Sequence, residues 1–413
     1  MRSEPGLARL LPLYTVIFVG FVGYSLMITV FTPMLMYAHN GMLAPDSPTA
    51  QRTIVLGVLL SLYPLGQFVG SPVLGALSDR FGRKPMLLAS LSVTTLCYAL
   101  ISAALTLQSL ALLMAASLVC GLAEANIVIA QSAIADVTTE ASRNRLFGYI
   151  YLSASLAYVV GPLVGGKLAD PALVPWFTYA TPFWATFVLL ALTLAWTATA
   201  FRETRTVTAS AAPVGYTAAF TSLRAVFTDR RLRLLYGVNF LLYLAIFGFF
   251  RCYPMYLVDE FHLNVSRVSE FVAWVAVPIV IANLWLTDFL ARHVATRRIV
   301  VVSAALTGVG MILVTIPRQV NALWGTLFLA ALALAVCLPA CATMISVAVS
   351  GDEQGRAMGN NQSLQVGAEA LSGLVGGLLA AVVVKLPLLV LGVVAMVASA
   401  VLGVFTARSS TSL

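Results

Sequence analysis

In this chain of 413 residues, 60% are hydrophobic, 10% are charged and the mean hydropathy is +0.94, which excludes an ordinary soluble globular protein and defines a polytopic membrane protein. A spanning helix takes about 20 apolar residues, so there is room for roughly a dozen spans and none for a separate soluble domain. The net charge of +8 is accordingly read as a topology signal and not as a nucleic-acid surface.

Apolar runs at about 11–37, 54–75, 86–107, 109–135, 145–168 and 180–201 predict six spans, and runs at about 232–257, 268–290, 297–316, 322–347, 357–381 and 386–407 predict six more. The first run is too long for a signal-peptide core and has no small-residue cleavage site, so it is kept as a span. With a cytoplasmic N-terminus, 18 of the 24 Lys and Arg residues fall in inner segments. Five fall in outer loops (Arg52, Lys167, Arg267, Arg318, Lys385), and Arg251 falls within a span. That asymmetry places both termini in the cytoplasm. The expected organisation is an N-terminal six-helix bundle over 1–201, a cytoplasmic linker over 202–231 and a C-terminal six-helix bundle over 232–413. All five cysteines lie in or beside apolar runs without metal-type spacing and read as packing residues.

Between the second and third runs lies GSPVLGALSDRFGRK, from Gly70 to Lys84. Its glycines suit a close helix-to-helix turn, and its charges must sit at a membrane face. Gly75, Asp79, Arg80, Gly82, Arg83 and Lys84 together resemble the G-x-x-x-D-R-x-G-R-K signature of the major facilitator superfamily. Further on, Gly161, Pro162, Gly165 and Gly166 in the fifth run predict a proline-kinked helix with a small-residue packing face. They resemble the antiporter motif of the drug:proton antiporters, a 12-helix group that includes the tetracycline-resistance-like proteins. The resemblance implies an all-α fold of two pseudo-symmetric six-helix bundles that works by alternating access. It also implies that Asp136, ending the fourth run, bonds Arg83, and that Asp79 lies at the start of the eleventh span. The roles so implied are conformational. One position departs from the pattern: where those families carry an arginine in the fourth span, four residues before a glycine, this chain has Ser117 before Gly121.

Seven residues after Ser117 comes Glu124, and Ser117, Gly121, Glu124, Val128 and Gln131 share one helical face. A second polar face in the eleventh run holds Gln362, Gln365, Glu369 and Ser372. Counting from the run ends puts Glu124 and Glu369 near the bilayer midplane. A carboxylate there is costly and normally functional, so both are candidate proton or substrate-coupling groups, with an interhelical clamp as the alternative for each. Arg251, toward the outer end of the seventh run, either faces a cavity and holds an anion or a glutamate, or snorkels to the headgroups. Tyr24, Tyr63, Gln67, Tyr151, Tyr158, Asn239 and Tyr243 are candidates for a cavity wall. His39, His262 and His293 fall at loops.

The two halves repeat: the stretch from Arg145 laid over that from Arg356 matches Gly148 with Gly359 and Gly165-Gly166 with Gly376-Gly377. A weaker echo of the turn, TDFLARHVATRR, follows the eighth run with Asp288 but without the glycines. No phosphate loop, HExxH or nucleophile elbow is present. The expectation is a monomeric, non-enzymatic, cofactor-free and metal-free transporter of the cytoplasmic (inner) membrane. Its partners would be a small organic substrate, protons and the bilayer, with no nucleic acid, and its reaction proton-coupled efflux. The alternative is proton-coupled uptake of a polar metabolite or siderophore-like acid held by Arg251.

Overall fold

A computed structural model describes residues 7–37, 42–124, 126–137, 140–204, 232–349 and 354–410. The side chains of His39, Arg145, Tyr151, Asp288 and Arg356, and the linker from 205 to 231, lie outside the described residues. Among those described there is no strand, and twelve helical stretches are long and apolar enough to cross a membrane. Helix is the form in which an apolar run can satisfy all of its backbone groups internally in lipid.

The spans are Leu10–Met36, Thr49–Phe81, Arg83–Thr106, Leu110–Val137, Leu146–Leu168, Thr181–Ala200, Arg233–Phe261, Val265–Leu286, Thr296–Leu313, Val320–Val347, Ala357–Val382 and Leu386–Val404. Two of them are interrupted. In the eighth, helix stops at Trp274, resumes over Ala276–Ile281 and passes into a π-helical turn, Ala282–Leu286. Pro278 has no N–H to offer the carbonyl of Trp274, so the first break has a local cause. In the fourth, helix ends at Ala123 and resumes at Asn126.

Packing divides the chain into two units. The first comprises the described residues of Met1–Ser47, Leu62–Ala218 and Asn264–Glu270; the second comprises those of Pro48–Ser61, Ala219–Leu263 and Phe271–Leu413. In the first unit the first span packs on the fifth and sixth, and the third on the fourth and sixth. In the second unit the seventh span packs on the eleventh and twelfth, and the ninth on the tenth and twelfth. Each pairing recurs six spans later, which is the repeat at the level of helix contacts.

The matched glycines do equivalent work in the two units. A Cβ at Gly165 would stand 2.9 Å from Leu26 Cβ of the first span, and one at Gly376 would run into the Cys252 sulfur of the seventh. A Cβ at Gly166 would run into the Ser269 side chain, and one at Gly377 would stand 2.8 Å from Gly57 Cα of the second span. Small residues here let two helix backbones approach closely. Gly148 and Gly359 have nothing within 4 Å of such a Cβ, so their match reflects no packing constraint.

Candidate functional site

The turn after the second span is one residue long. Helix runs to Phe81 and restarts at Arg83, and Gly82 between them has φ 100°, a left-handed value that favours glycine. Gly75, counted among the turn glycines from sequence, instead lies inside the second helix, with Val128 no nearer than 4.0 Å to an added Cβ. Arg83 is 4% exposed. Its Nε donates to Asp136 Oδ2 at 2.9 Å, its Nη1 to Ser78 Oγ at 2.6 Å, and its Nη2 lies 2.8 Å from Asp79 Oδ1. Arg80 is exposed and stacks over Phe81. Lys84 Nζ donates to the carbonyl of Ala198.

Sequence inspection missed Glu203, just beyond the sixth span. Its two carboxylate oxygens accept from the backbone N–H groups of Arg83 and Lys84 at 3.0 and 2.9 Å. It thereby satisfies two donors at the start of the third helix and places negative charge at the positive end of the helix dipole. An acidic residue following a span carries no local signal of this role.

Deeper in the first unit, Glu124 is fully buried, at the C-terminal end of Leu110–Ala123, with ψ 14° that takes the chain out of regular helix. The carboxylate is positioned by glycines. A Cβ at Gly20 of the first span would stand 2.8 Å from Glu124 Oε1. One at Gly121 would fall on the backbone of Tyr63, which lets the second span press against the fourth. Cys120 Sγ is 3.9 Å from Glu124 Oε2. The Tyr63 and Tyr98 side chains are both buried beside the carboxyl, and Tyr63 is hydrogen-bonded to it. Tyr24 stacks on Tyr63 with centroids 4.7 Å apart. The polar face drawn from sequence is thus packed away as far as Glu124, with Ser117 bonded to the Leu113 carbonyl, while Val128 and Gln131 are half-buried. Gln67 is half-buried, and Tyr158 is exposed beside Phe21.

In the second unit Arg251 is 1% exposed and does not snorkel. Its Nη2 donates to Glu369 Oε1 at 3.2 Å, and its Nη1 to Ser372 Oγ at 3.3 Å. The two mid-span glutamates therefore differ: Glu369 is half of a buried ion pair, and among the described residues no cation pairs with Glu124. Asn239 and Tyr243 belong to an interhelical network, in which Asn239 Nδ2 donates to Asn361 Oδ1 and to the Cys341 carbonyl, and Asn361 Nδ2 donates to the Tyr243 hydroxyl at 2.8 Å. Gln362 is exposed and Gln365 half-buried. Gly161 and Gly165 face the first span, and Pro162 is accommodated within the continuous helix Glu140–Leu168. Among the described residues no group of three or more His, Cys, Asp or Glu side chains could hold a metal ion.

Twelve membrane-length helices in a repeated packing pattern, carrying a charged turn and two buried mid-span carboxylates, describe a multi-pass integral membrane transporter. The Major Facilitator Superfamily model matches residues 13–264 and 235–412, and the chain belongs to that family. It is 31% identical over 333 residues to the class G tetracycline resistance protein of Vibrio anguillarum, covering 78% of this chain and 82% of that protein. It is 41% identical over 162 residues to the class C tetracycline resistance protein of Escherichia coli, 37% of this chain and 39% of the relative. The human organic anion transporter MFSD10 (TETRAN) shares the fold, with TM-score 0.70 and 19% identity over 97% of this chain and all of that one. Members of this family are transporters, not enzymes.

Proposed function

We propose that the protein exports a tetracycline-like amphiphilic molecule from the cytoplasm in exchange for protons, with Glu124 as the coupling carboxyl. The observation that carries this reading is Glu124 itself: a fully buried carboxyl at mid-span with no cationic partner among its contacts. A carboxylate in that place is stabilised by taking up a proton, and a cycle that alternately buries and hydrates it loads and unloads that proton. The 31% identity across 78% of the chain to a tetracycline resistance protein supports export and the substrate class. In this reading the protein is a monomer of the cytoplasmic membrane with both termini inside, and the Asp79–Arg83–Asp136 cluster is a conformational clasp at the cytoplasmic face.

Uptake of an organic acid would need Arg251 available to an anion. In the structure Glu369 and Ser372 hold it, so no observation favours that reading. The test is tetracycline accumulation in energised cells lacking their main pumps. Expression lowers accumulation, an uncoupler restores it, and Glu124→Gln protein present at normal levels does not lower it. Lowered accumulation that persists under the uncoupler would contradict proton coupling.

A further inference from the structure

In the second unit the eighth span packs on the tenth through Ala276–Ile281 and the π-helical turn Ala282–Leu286. Beside that contact lies an apolar surface groove of about 390 Å³, lined by Ile281, Trp285, Leu286 and Phe289 around the π-helical turn and by Leu332 of the tenth span. Ile281, Trp285 and Phe289 recur at every fourth position and so form one row along a helix face, with Trp285 and Phe289 exposed. The row ends in charge. His293, four residues after Phe289, stacks on its ring with centroids 4.6 Å apart, and its Nδ1 lies 2.8 Å from the Phe289 carbonyl oxygen. Arg292, His293 and Arg298 are exposed and Arg297 is half-buried, so four basic residues crowd one turn. Asp288, whose side chain lies outside the described residues, is the one acidic residue between Glu270 and Asp352 in the sequence.

In the first unit the third span begins at Arg83, where the Glu203 carboxylate accepts from two backbone N–H groups. The ninth span, its counterpart six spans on, begins at Thr296 after Ala295. It has no side-chain cap and no acidic residue in its first turn, which carries Arg297 and Arg298 instead. Cations at the positive end of a helix dipole are unfavourable by themselves and call for an anion. A free anion would meet the basic turn and leave the groove unfilled. A neutral acyl chain would fill the groove and leave the charges unmet. An anionic phospholipid does both, since one molecule carries the acyl chain and the phosphate. The depth agrees: Ile281 to Phe289 covers about 12 Å at the helical rise, close to the ~15 Å of hydrocarbon in one leaflet.

We propose that the groove and the basic turn bind one anionic phospholipid of the cytoplasmic leaflet. Its acyl chain lies along Ile281, Trp285 and Phe289, and its phosphate is held by Arg292, His293 and Arg298. The leaflet follows from the orientation given above, and the site itself does not depend on proton exchange.

The experiment is thermal unfolding of the purified full-length protein in detergent with added dioleoylphosphatidylglycerol, dioleoylphosphatidylcholine or inorganic phosphate. Phosphatidylglycerol raises the midpoint with concentration by mass action on the folded state. Added salt reduces that shift. Phosphatidylcholine, with the same chains and no net charge, does not produce it, and neither does phosphate. Trp285→Ala weakens the shift, and Arg292→Gln combined with Arg298→Gln removes it. An equal shift with phosphatidylcholine, a shift that survives the double substitution, or one reproduced by inorganic phosphate overturns the proposal. Should the double variant fail to fold, phosphatidylglycerol carrying a diazirine on its acyl chain decides on the wild type: photolabelling within 281–289 or at Leu332 is expected, and labelling confined to other spans overturns it. None of these measurements reads efflux, so failure of the lipid site leaves the proton-export reading to its own test.

Discussion

At the scale of single residues, the two mid-span glutamates are expected to respond differently to the same substitution. Removing one partner of a buried ion pair leaves an uncompensated charge, at a cost on the order of 3–5 kcal/mol. Glu369→Ala or Arg251→Ala should therefore lower the thermal midpoint sharply. The double replacement by methionine should restore most of it, since apolar substitutes for a buried pair are often neutral or better. Among the described residues Glu124 has no cationic partner, so Glu124→Gln should leave the midpoint unchanged or raised while abolishing efflux. A large destabilisation by Glu124→Gln would show that the carboxylate is a clamp after all. The mid-span position of both glutamates was legible from the apolar runs, because a carboxylate inside such a run is conspicuous. The Arg251–Glu369 pair was not, because its members are 118 positions apart and only packing says which residue of the eleventh span meets the seventh. Asn239 and Tyr243 looked like cavity residues for the same reason: a mid-span polar side chain does not announce whether a neighbouring helix or a cavity meets it.

At the scale of elements, the helix seams make two tests. A Cβ at Gly121 would meet the Tyr63 backbone, with the carbonyl carbon at 2.8 Å and Cα at 3.0 Å, and backbone cannot turn aside. Gly121→Ala should cost about 1–3 kcal/mol, the usual range for an overpacked core, and should impair efflux by displacing Tyr63 from Glu124. Gly148→Ala, with open space around it, should do neither. Equal effects of the two on thermal midpoint would contradict the packing described. The second test concerns the start of the third helix. Glu203→Ala removes an acceptor for two backbone N–H groups and should cost about 0.5–2 kcal/mol, the range for a lost N-terminal cap, with Glu203→Gln recovering part. The turn itself was legible from its glycines and charges. Which glycine it needs was not, since the positive φ falls at Gly82 alone and Gly75 is an ordinary helical residue.

At the scale of the whole molecule, twelve spans and their repeat were readable because lipid permits few alternatives to a long apolar helix. The interruptions at Glu124 and Trp274 were less so: an apolar run reads as continuous whether or not its backbone is. The repeat also explains why the fifth and eleventh spans keep paired glycines, since Gly165 and Gly376 each admit a neighbouring span within their own unit. Topology provides a prediction at this scale. Cysteines placed at Asp46 and Arg318 should react with an impermeant maleimide in intact cells, and one at Arg202 should react only after permeabilisation; the reverse pattern would invert the orientation assigned here. The most direct measurement remains tetracycline efflux from energised, pump-deficient cells expressing wild-type or Glu124→Gln protein at matched levels. Export by proton exchange through Glu124 predicts uncoupler-sensitive efflux from the wild type alone. Equal uncoupler-sensitive efflux from both proteins would remove Glu124 from the mechanism and contradict the proposal.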